Sequence, residues 1–176
     1  MNSLLLPWLP EAPADFRAQL NALDLNDADV TDHLYGLATA RLNFTQLNSL
    51  SRTLGRLQKE DRSWVKMAIL SNASTEMIAA VLPATALRYQ LLLRVSTTPF
   101  AMYTQEALDP ASRANSDGND FVVLALDYRA FDFQSRPGVV DAEARVDAAL
   151  CSLQHLVAAL YSHGGATVVV QTLAPP

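Results

Sequence analysis

The chain has 176 residues, 50% of them hydrophobic, and a formal net charge of −5. That length and apolar content suffice for one well-buried domain, and the mild acidity argues against the basic face that nucleic acid requires. The start, MNSLLLPWLPEAP, lacks a basic segment and is broken by prolines, so we do not expect a signal peptide or an apolar run that spans a bilayer. The single cysteine, Cys151, excludes an internal disulfide, and we expect it in the core of a protein from a reducing, cytoplasmic setting.

The first third of the chain, residues 1–63, carries apolar stripes at helical spacing. The stripes are Phe16, Leu20 and Leu23; Val30, Leu34 and Leu37; and Phe44, Leu47, Leu50, Leu54 and Leu57. Such faces more often pack on the body of a protein than bind a partner helix. Residues 58–63 then interrupt the pattern as a polar linker. We therefore predict an N-terminal helical segment, residues 1–63, that packs on the domain after it.

From residue 64 onward the pattern alternates between strands and helices. Strands are predicted at 65–70, 89–96 (YQLLLRVS), 121–126 (FVVLAL) and 166–173 (ATVVVQTL). Helices are predicted from Thr75 to Leu87 with Pro83 as a kink or early end, within PFAMYTQEALDP, and over 140–161 with Cys151 inside an apolar stripe. The stripe of the last helix comprises Val146, Leu150, Leu153, Val157 and Leu160, and the helix ends at the Gly164–Gly165 pair. The segment SRANSDGND is predicted to be a loop.

Strands that alternate with helices imply right-handed crossovers and a parallel sheet. The predicted fold is therefore α/β, with an open parallel sheet of about four strands in flavodoxin-like order and flanking helices. The last predicted strand reads as a central one, yet no helix follows to cover it. We expect the sequence to be the first part of a larger domain, and the uncovered sheet edge favours self-association as a homodimer.

Polar residues follow each predicted strand, at the ends that line up along one edge of a parallel sheet. Open α/β folds bind their ligands at that edge. The candidate residues are Ser71, Asn72, Ser74 and Thr75 after strand one, Thr97 with Ser96 and Thr98 after strand two, Asp127 and Arg129 after strand three, and Thr172 with Gln171 after strand four. Each also has a simpler explanation, with Ser74 or Thr75 as a helix N-cap and Asp127 as a turn cap. The histidines lack metal-ligand spacing, so no metal site is predicted.

Four stretches, LPWLPEAPADFRAQL, WVKMAILSNAST, FVVLALDYRAF and VVVQTLAPP, resemble in order and spacing the N-terminal region of FkbH-like proteins. The resemblance implies that residues 64–176 are an SGNH-hydrolase-like domain, incomplete at its C-terminus, with a haloacid-dehalogenase (HAD)-type domain after it. In that family the HAD-type domain takes a glyceryl group from a bisphosphoglycerate and loads it on an acyl carrier protein for polyketide extender units. The implied partners are that carrier protein and the downstream domain. Magnesium belongs to that domain, and no cofactor is expected in this region.

The SGNH pattern requires a nucleophilic serine after Gly-Asp, an oxyanion hole made by a glycine and an asparagine, and a late Asp-x-x-His. Carried over to this chain, Gly-Asp-Ser falls on Ser71, Asn72 and Ala73, and the asparagine position falls on Leu126. No glycine lies near the second strand, and the chain contains no late Asp-x-x-His. A missing oxyanion donor alone costs about two to three orders of magnitude in rate. The resemblance therefore implies no catalytic residue in this region.

Three functions stay open at this point. The first is a non-catalytic domain that holds the carrier protein, or its phosphopantetheine arm, beside the HAD-type active site. Since carrier proteins are acidic, a local arginine cluster would have to offset the net charge of −5; the candidates are Arg88, Arg94, Arg113, Arg129 and Arg136. The second is an ester or thioester hydrolase that uses Ser71 or Ser74 with a base from outside this chain. The third is a structural module that supports its neighbour and dimerises.

Overall fold

The computed structural model describes residues 8–57, 63–131 and 142–172. The chain forms two compact units, one made of Met1–Val65 with Met77–Arg94 and the other of Lys66–Glu76 with Val95–Pro176. Except for Ser63, the predicted linker 58–63 lies outside the described residues. The predicted division into domains at 1–63 and 64–176 stays a prediction. Within the described ranges, no helix is long and apolar enough to cross a membrane.

The first unit is built from short helices around one apolar core. The helices in this part of the chain are α1 (Phe16–Ala22), α2 (Val30–Ala38), α3 (Phe44–Gly55), α4 (Glu76–Ala79) and α5 (Leu82–Leu87). The core is formed by Phe16, Leu20, Val30, Leu34, Leu37, Leu50, Leu54, Leu57, Ala84 and Leu87. All three predicted stripes contribute to this core. That the segment packs on the domain after it stays a prediction. Burial of each large side chain contributes roughly 1.5–3 kcal/mol.

Two polar devices fix the helices of this unit. α3 begins with a capping box, in which Asn43 Oδ1 accepts from the Gln46 N–H at 3.0 Å and Gln46 Oε1 accepts from the Asn43 N–H at 2.9 Å. Arg88, which follows α5, donates from Nε to the Ala38 carbonyl at 2.7 Å and from Nη2 to the Ala40 carbonyl at 3.3 Å. These hydrogen bonds link α5 to the end of α2. The positive charge is also favoured there, because a helix C-terminus attracts cations.

The single helix predicted from Thr75 to Leu87 is wrong, since the structure has two short helices, α4 and α5, in this stretch. Pro83 lies in the first turn of α5. Proline has no N–H to donate, and the first turn of a helix is the place where no such donor is needed. The interruption therefore falls before the proline, and Pro83 starts a new helix rather than kinking an old one.

The strands form one four-stranded parallel sheet in the order β2-β1-β3-β4. They are β1 (Val65–Ser71), β2 (Leu93–Thr97), β3 (Phe121–Ala125) and β4 (Thr167–Val170). β1 and β3 are in register from Met67 opposite Phe121 to Ser71 opposite Ala125. This confirms the predicted α/β fold and its flavodoxin-like strand order.

Three helices of the second unit, α6 (Tyr103–Leu108), α7 (Arg113–Ser116) and α8 (Ala142–Gly164), share an apolar core with the strands. Its buried members are Ala68, Leu70, Ala107, Ala114, Val122, Leu124, Leu126, Leu156, Leu160 and Ala166. The alternate residues of β1 and β3 in that list point to one face of the sheet, as the period of two in a strand requires. The helices therefore cover that face of the sheet.

The segment predicted as the loop SRANSDGND contains α7, and α7 carries a buried asparagine, Asn115. Asn115 Nδ2 donates to the carbonyls of Glu106, Ala107 and Asp109, at 3.2, 3.3 and 2.8 Å, which lie at the C-terminal end of α6. The side chain thus satisfies carbonyls that the end of a helix leaves without partners. These hydrogen bonds form only once α6 and α7 pack together, so a local sequence pattern did not reveal them.

Of the predicted α8 stripe, Leu160 is buried and Leu153 and Val157 are partly buried. Leu160 is fully buried, whereas Val146 and Leu150 are 48% and 52% exposed. Cys151 is also exposed, so the prediction that it is a core residue is wrong. The helical period identifies the apolar side of α8 correctly, but the described elements do not cover that side along its whole length.

Candidate functional site

Ser71, the last residue of β1, is buried, with 4% of its surface exposed. Its Oγ donates to the Ala125 carbonyl in β3 at 2.7 Å and accepts from the Ala73 N–H at 3.0 Å. A serine hydroxyl has one proton, and here that proton is already used. The Ser71 hydroxyl therefore links β1 to β3 by a hydrogen bond and holds the turn after β1.

Next to Ser71, Asn72 and Asp127 are joined by two hydrogen bonds. Asn72 Nδ2 donates to Asp127 Oδ1 at 2.7 Å, and the Asp127 N–H donates to Asn72 Oδ1 at 3.0 Å. Asp127 Oδ1 also accepts from the Arg129 N–H at 2.9 Å, which confirms the predicted turn cap. The turn after β1 and the turn after β3 are thus cross-linked by polar groups.

Arg129 lies in a 3-10 turn, Tyr128–Ala130, and 64% of its side chain is exposed. Its Nε donates to Asp127 Oδ2 at 2.9 Å, and its Nη2 donates to the same oxygen. Hydrogen bonds from Arg129 and from Asn72 hold the pKa of Asp127 well below its usual range. A guanidinium has five N–H donors, so Arg129 keeps donors for a ligand while the carboxylate fixes its position.

These side chains border an open cavity of about 610 Å³, which we call the edge cleft. It is lined by Asn72, Ala73, Ser74, Phe100, Ala101, Tyr103, Thr104, Arg129 and Ala130. Phe100 is 71% exposed, and the Tyr103 hydroxyl donates to the Ala130 carbonyl at 3.4 Å. Ala101 has a φ of 59°, a left-handed conformation that alanine rarely adopts. The cleft therefore combines an aromatic wall with one guanidinium.

The structure does not bring all the predicted site residues together. Asn72, Ser74 and Arg129 line the edge cleft, while Ser71 and Asp127 support it without lining it. Two predicted residues lie elsewhere: Thr97 lines a second cavity, of about 380 Å³, with Ser96, Thr98, Glu76 and Arg113, and Thr172 is exposed after β4. Thr75 is half-buried and lines neither cavity.

The aromatic residues of the cleft were missed by the sequence analysis, which selected polar side chains at strand ends. Phe100 lies in the connection between β2 and α6, and Tyr103 is the first residue of α6, both in the stretch PFAMYTQEALDP. A signal was present, because this connection also leaves the carboxyl end of a strand. The position in the topology, rather than the residue type, would have identified both residues.

Ser74 does not have the partner that a nucleophile needs. Its Oγ donates to the Glu76 carboxylate, and that hydrogen bond lowers the pKa of Glu76. A carboxylate with a lowered pKa is a weaker base and takes a serine proton less readily. Ala73 supplies only a methyl group to the cleft. Among the residues that the structure describes, no group of three or more His, Cys, Asp or Glu side chains could hold a metal ion.

Comparisons with known proteins bear on the fold. No protein-family model matches the chain, and no curated protein matches it. A solved structure with a similar fold is the N-terminal part of the protein BF1531 from Bacteroides fragilis, described as containing a phosphatase domain complexed with Mg. The TM-score is 0.57 at 12% sequence identity, over 77% of this chain and 34% of that one. The likeness shows a shared fold, and this chain matches about a third of that chain's length.

Proposed function

We propose that this region is a non-catalytic positioning domain of an FkbH-like protein, which holds the phosphopantetheine arm of an acyl carrier protein. The full protein would load a glyceryl unit on that carrier for polyketide extender-unit biosynthesis, in the cytoplasm. The observation that carries the proposal is the edge cleft. It lies where an α/β hydrolase keeps its active site, yet Ala73 occupies the nucleophile position and the Ser71 hydroxyl is committed to the fold.

The chemistry of the edge cleft suits a phosphopantetheine arm. Its volume of about 610 Å³ falls in the range of about 300–1,000 Å³ that is usual for small-molecule sites. The arm has a phosphate at one end and an extended, largely apolar chain with amides. Arg129 offers guanidinium donors to the phosphate, and Phe100 and Tyr103 offer apolar surface to the chain.

An arginine cluster does not support docking of the whole carrier protein at this cleft. Among the arginines considered for such a cluster, Arg129 alone lines the described edge cleft. Arg113 forms an ion pair with Asp117 at 3.2 Å and lines the second cavity, and Arg136 lies outside the described residues. The proposal therefore rests on recognition of the arm, and it predicts weak binding of a carrier protein that lacks one.

The downstream part of the proposal is a magnesium-dependent HAD-type domain. Its support is the fold likeness to the N-terminal part of a protein described as containing a phosphatase domain complexed with Mg. That domain would perform the chemistry, while the region described here would hold the tethered substrate. Sequencing the gene beyond residue 176 and finding no Asp-x-Asp-x-Thr motif would contradict this part.

The binding test uses two forms of one acyl carrier protein, with and without the phosphopantetheine arm, and free phosphopantetheine as a third probe. Titration calorimetry should detect binding of the armed carrier and of the free arm, with the bare carrier much weaker. Arg129→Ala should weaken binding about tenfold, because a charge-assisted hydrogen bond to phosphate is lost. Arg113→Ala is the matched control, since that arginine is also exposed and paired with an aspartate. Failure of all three probes to bind would contradict the proposal.

A hydrolase that uses Ser74 is the second candidate, and its hydrogen bond to Glu76 is the observation in its favour. The lowered pKa of Glu76 weakens that candidate, because a general base works best with a pKa near the operating pH. The positioning function requires no base and is consistent with Ala73 in the cleft.

A further inference from the structure

The second cavity, of about 380 Å³, lies at the end of β2, where residues 96–99 line it. None of the described residues lines both this cavity and the edge cleft. Its volume falls in the range of about 300–1,000 Å³ that is usual for small-molecule sites. The carboxyl end of a parallel strand is also where α/β folds bind their ligands. The second cavity therefore has the size and the position of a ligand site of its own.

The base of the second cavity is apolar and its rim is charged. Ala68 of β1 and Ala114 of α7 line the base, and both belong to the buried core of the second unit, each with 3% of its surface exposed. Glu76 and Arg113 line the rim and are exposed, and Glu106 is half-buried between these levels. Because the alanine side chains are small, a short aliphatic chain can lie on them beneath the charged groups.

The charge of the rim is negative once the protein's own pairs are counted. Arg113 Nε donates to Asp117 Oδ2 at 3.2 Å, and Asp117 does not line the cavity, so the arginine charge is offset from outside. The Glu76 carboxylate accepts from the Ser74 hydroxyl, which carries no charge. The Glu106 carboxylate has no partner among the residues that the structure describes. Two carboxylates of the cavity are thus left without a cation.

An ammonium group fits this arrangement better than a metal ion does. A half-buried carboxylate that has lost part of its hydration is stabilised by an opposite charge nearby. An ammonium has three N–H donors, which can reach the carboxylates of Glu76 and Glu106 and a hydroxyl oxygen of Ser96 or Thr97. In the described part of the chain, no three His, Cys, Asp or Glu side chains come together as metal ligands. A metal ion would also gain nothing from the apolar base.

We propose that the second cavity binds a primary amine on a short aliphatic chain. The ammonium group lies at the rim between Glu76 and Glu106, and the aliphatic chain lies on Ala68 and Ala114. This site does not depend on the positioning function proposed for the edge cleft, because the two cavities share no described lining residue. The two proposals therefore fail separately.

The test is an NMR titration of the full chain with butylammonium chloride at neutral pH, with sodium chloride added to the reference sample to equal ionic strength. We expect saturable shifts of the amide signals of Ser96, Thr97 and Ala114. The alcohol 1-butanol has nearly the same shape and no charge. It should bind at least about tenfold more weakly, because hydrogen bonds between ionised groups are stronger than those between neutral ones.

A variant locates the charge that matters. Glu106→Gln keeps the shape of the side chain and removes its charge, so it should weaken butylammonium binding about tenfold. Glu143→Gln is the matched control, since Glu143 is an exposed acid in the first turn of α8, outside the cavity, and should leave binding unchanged.

Several outcomes would overturn the proposal. They are the absence of saturable shifts, equal affinity for 1-butanol, displacement of butylammonium by an equal concentration of Mg²⁺, and a folded Glu106→Gln variant that binds as the wild type does. The comparison with 1-butanol needs the wild-type chain alone, so it decides the matter even where a variant does not fold.

Discussion

At the ends of β1 and β3, Asn72 and Asp127 hydrogen-bond to each other, and the Ser71 hydroxyl hydrogen-bonds to nearby main chain. At the outer edge of β4, Val168 and Val170 direct their main-chain groups away from β3, beside an apolar groove. The first region has the residue types of an active site, but most of their donors and acceptors are bonded to other groups of the protein. The groove in the second region is lined by uncharged side chains. Residue types at a strand end therefore do not show by themselves which groups are free to bind a ligand.

The largest effect in the first region is expected from Asn72→Asp. The substitution removes the Nδ2 donor and brings a second carboxylate against Asp127. We expect the free energy of unfolding to fall by more at neutral pH than it does for Asn72→Ala. Asn72→Ala loses the hydrogen bonds without the repulsion and should cost about 1–2 kcal/mol. Urea unfolding measures both values, and two variants as stable as the wild type would show that the pair contributes nothing.

Ser71→Ala tests whether the buried hydroxyl is structural. The change leaves the Ala125 carbonyl and the Ala73 N–H without their partner, so unfolding should become easier by about 1–2 kcal/mol. Ser74→Ala is the control, because that hydroxyl is exposed and should change stability by less than about 0.5 kcal/mol. Equal effects of the two variants would argue against the difference drawn between the two serines.

Gly165→Ala examines the connection that leads from α8 to β4. Gly165 has a φ of +66°, a conformation that costs an alanine about 1 kcal/mol. The variant should lower the free energy of unfolding by that amount. Gly36→Ala provides a control of opposite sign, since Gly36 lies inside α2 with free space around it, and alanine should stabilise that helix by about 0.5–1 kcal/mol.

The smallest effect is expected from Asp127→Asn, and it should appear as a change in pH dependence. Because the pKa of Asp127 is lowered in the folded chain by Arg129 and Asn72, its contribution to stability is complete above the unfolded pKa of about 3.9. That contribution is lost as the pH falls toward the folded pKa. The variant should therefore lose less stability than the wild type on acidification below pH 4, as thermal melts would show. Identical acid profiles would contradict the role assigned to this carboxylate.

The sequence predicted the parallel sheet well, because β1, β3 and β4 are short apolar runs separated by helical patterns. It also predicted the turn cap at Asp127, which needs only local geometry. It did not predict that Cys151 and Leu150 are exposed, since a helical period identifies an apolar face but not the element that would cover it. The role of Asn115 in holding the end of α6 was missed because its partners depend on how the helices pack.

Within the edge cleft, the sequence indicated the polar half and missed the aromatic half. Asn72, Ser74 and Arg129 were identified because polar residues after a strand are a known signal, whereas Phe100 and Tyr103 read as parts of an ordinary surface helix. The hydrogen bond from the Ser71 hydroxyl to β3 also could not be predicted from the sequence, because it depends on the register of β1 against β3.

The central claim is that the edge cleft binds and does not catalyse. Its most direct test is the hydrolysis of an activated ester by the wild-type chain, Ser71→Ala and Ser74→Ala, with the stability of each protein measured on the same preparation. We predict that all three hydrolyse the ester at the rate seen without protein, and that Ser71→Ala differs in stability alone. A wild-type rate well above that background, lost in either variant while the protein stays folded, would contradict the claim.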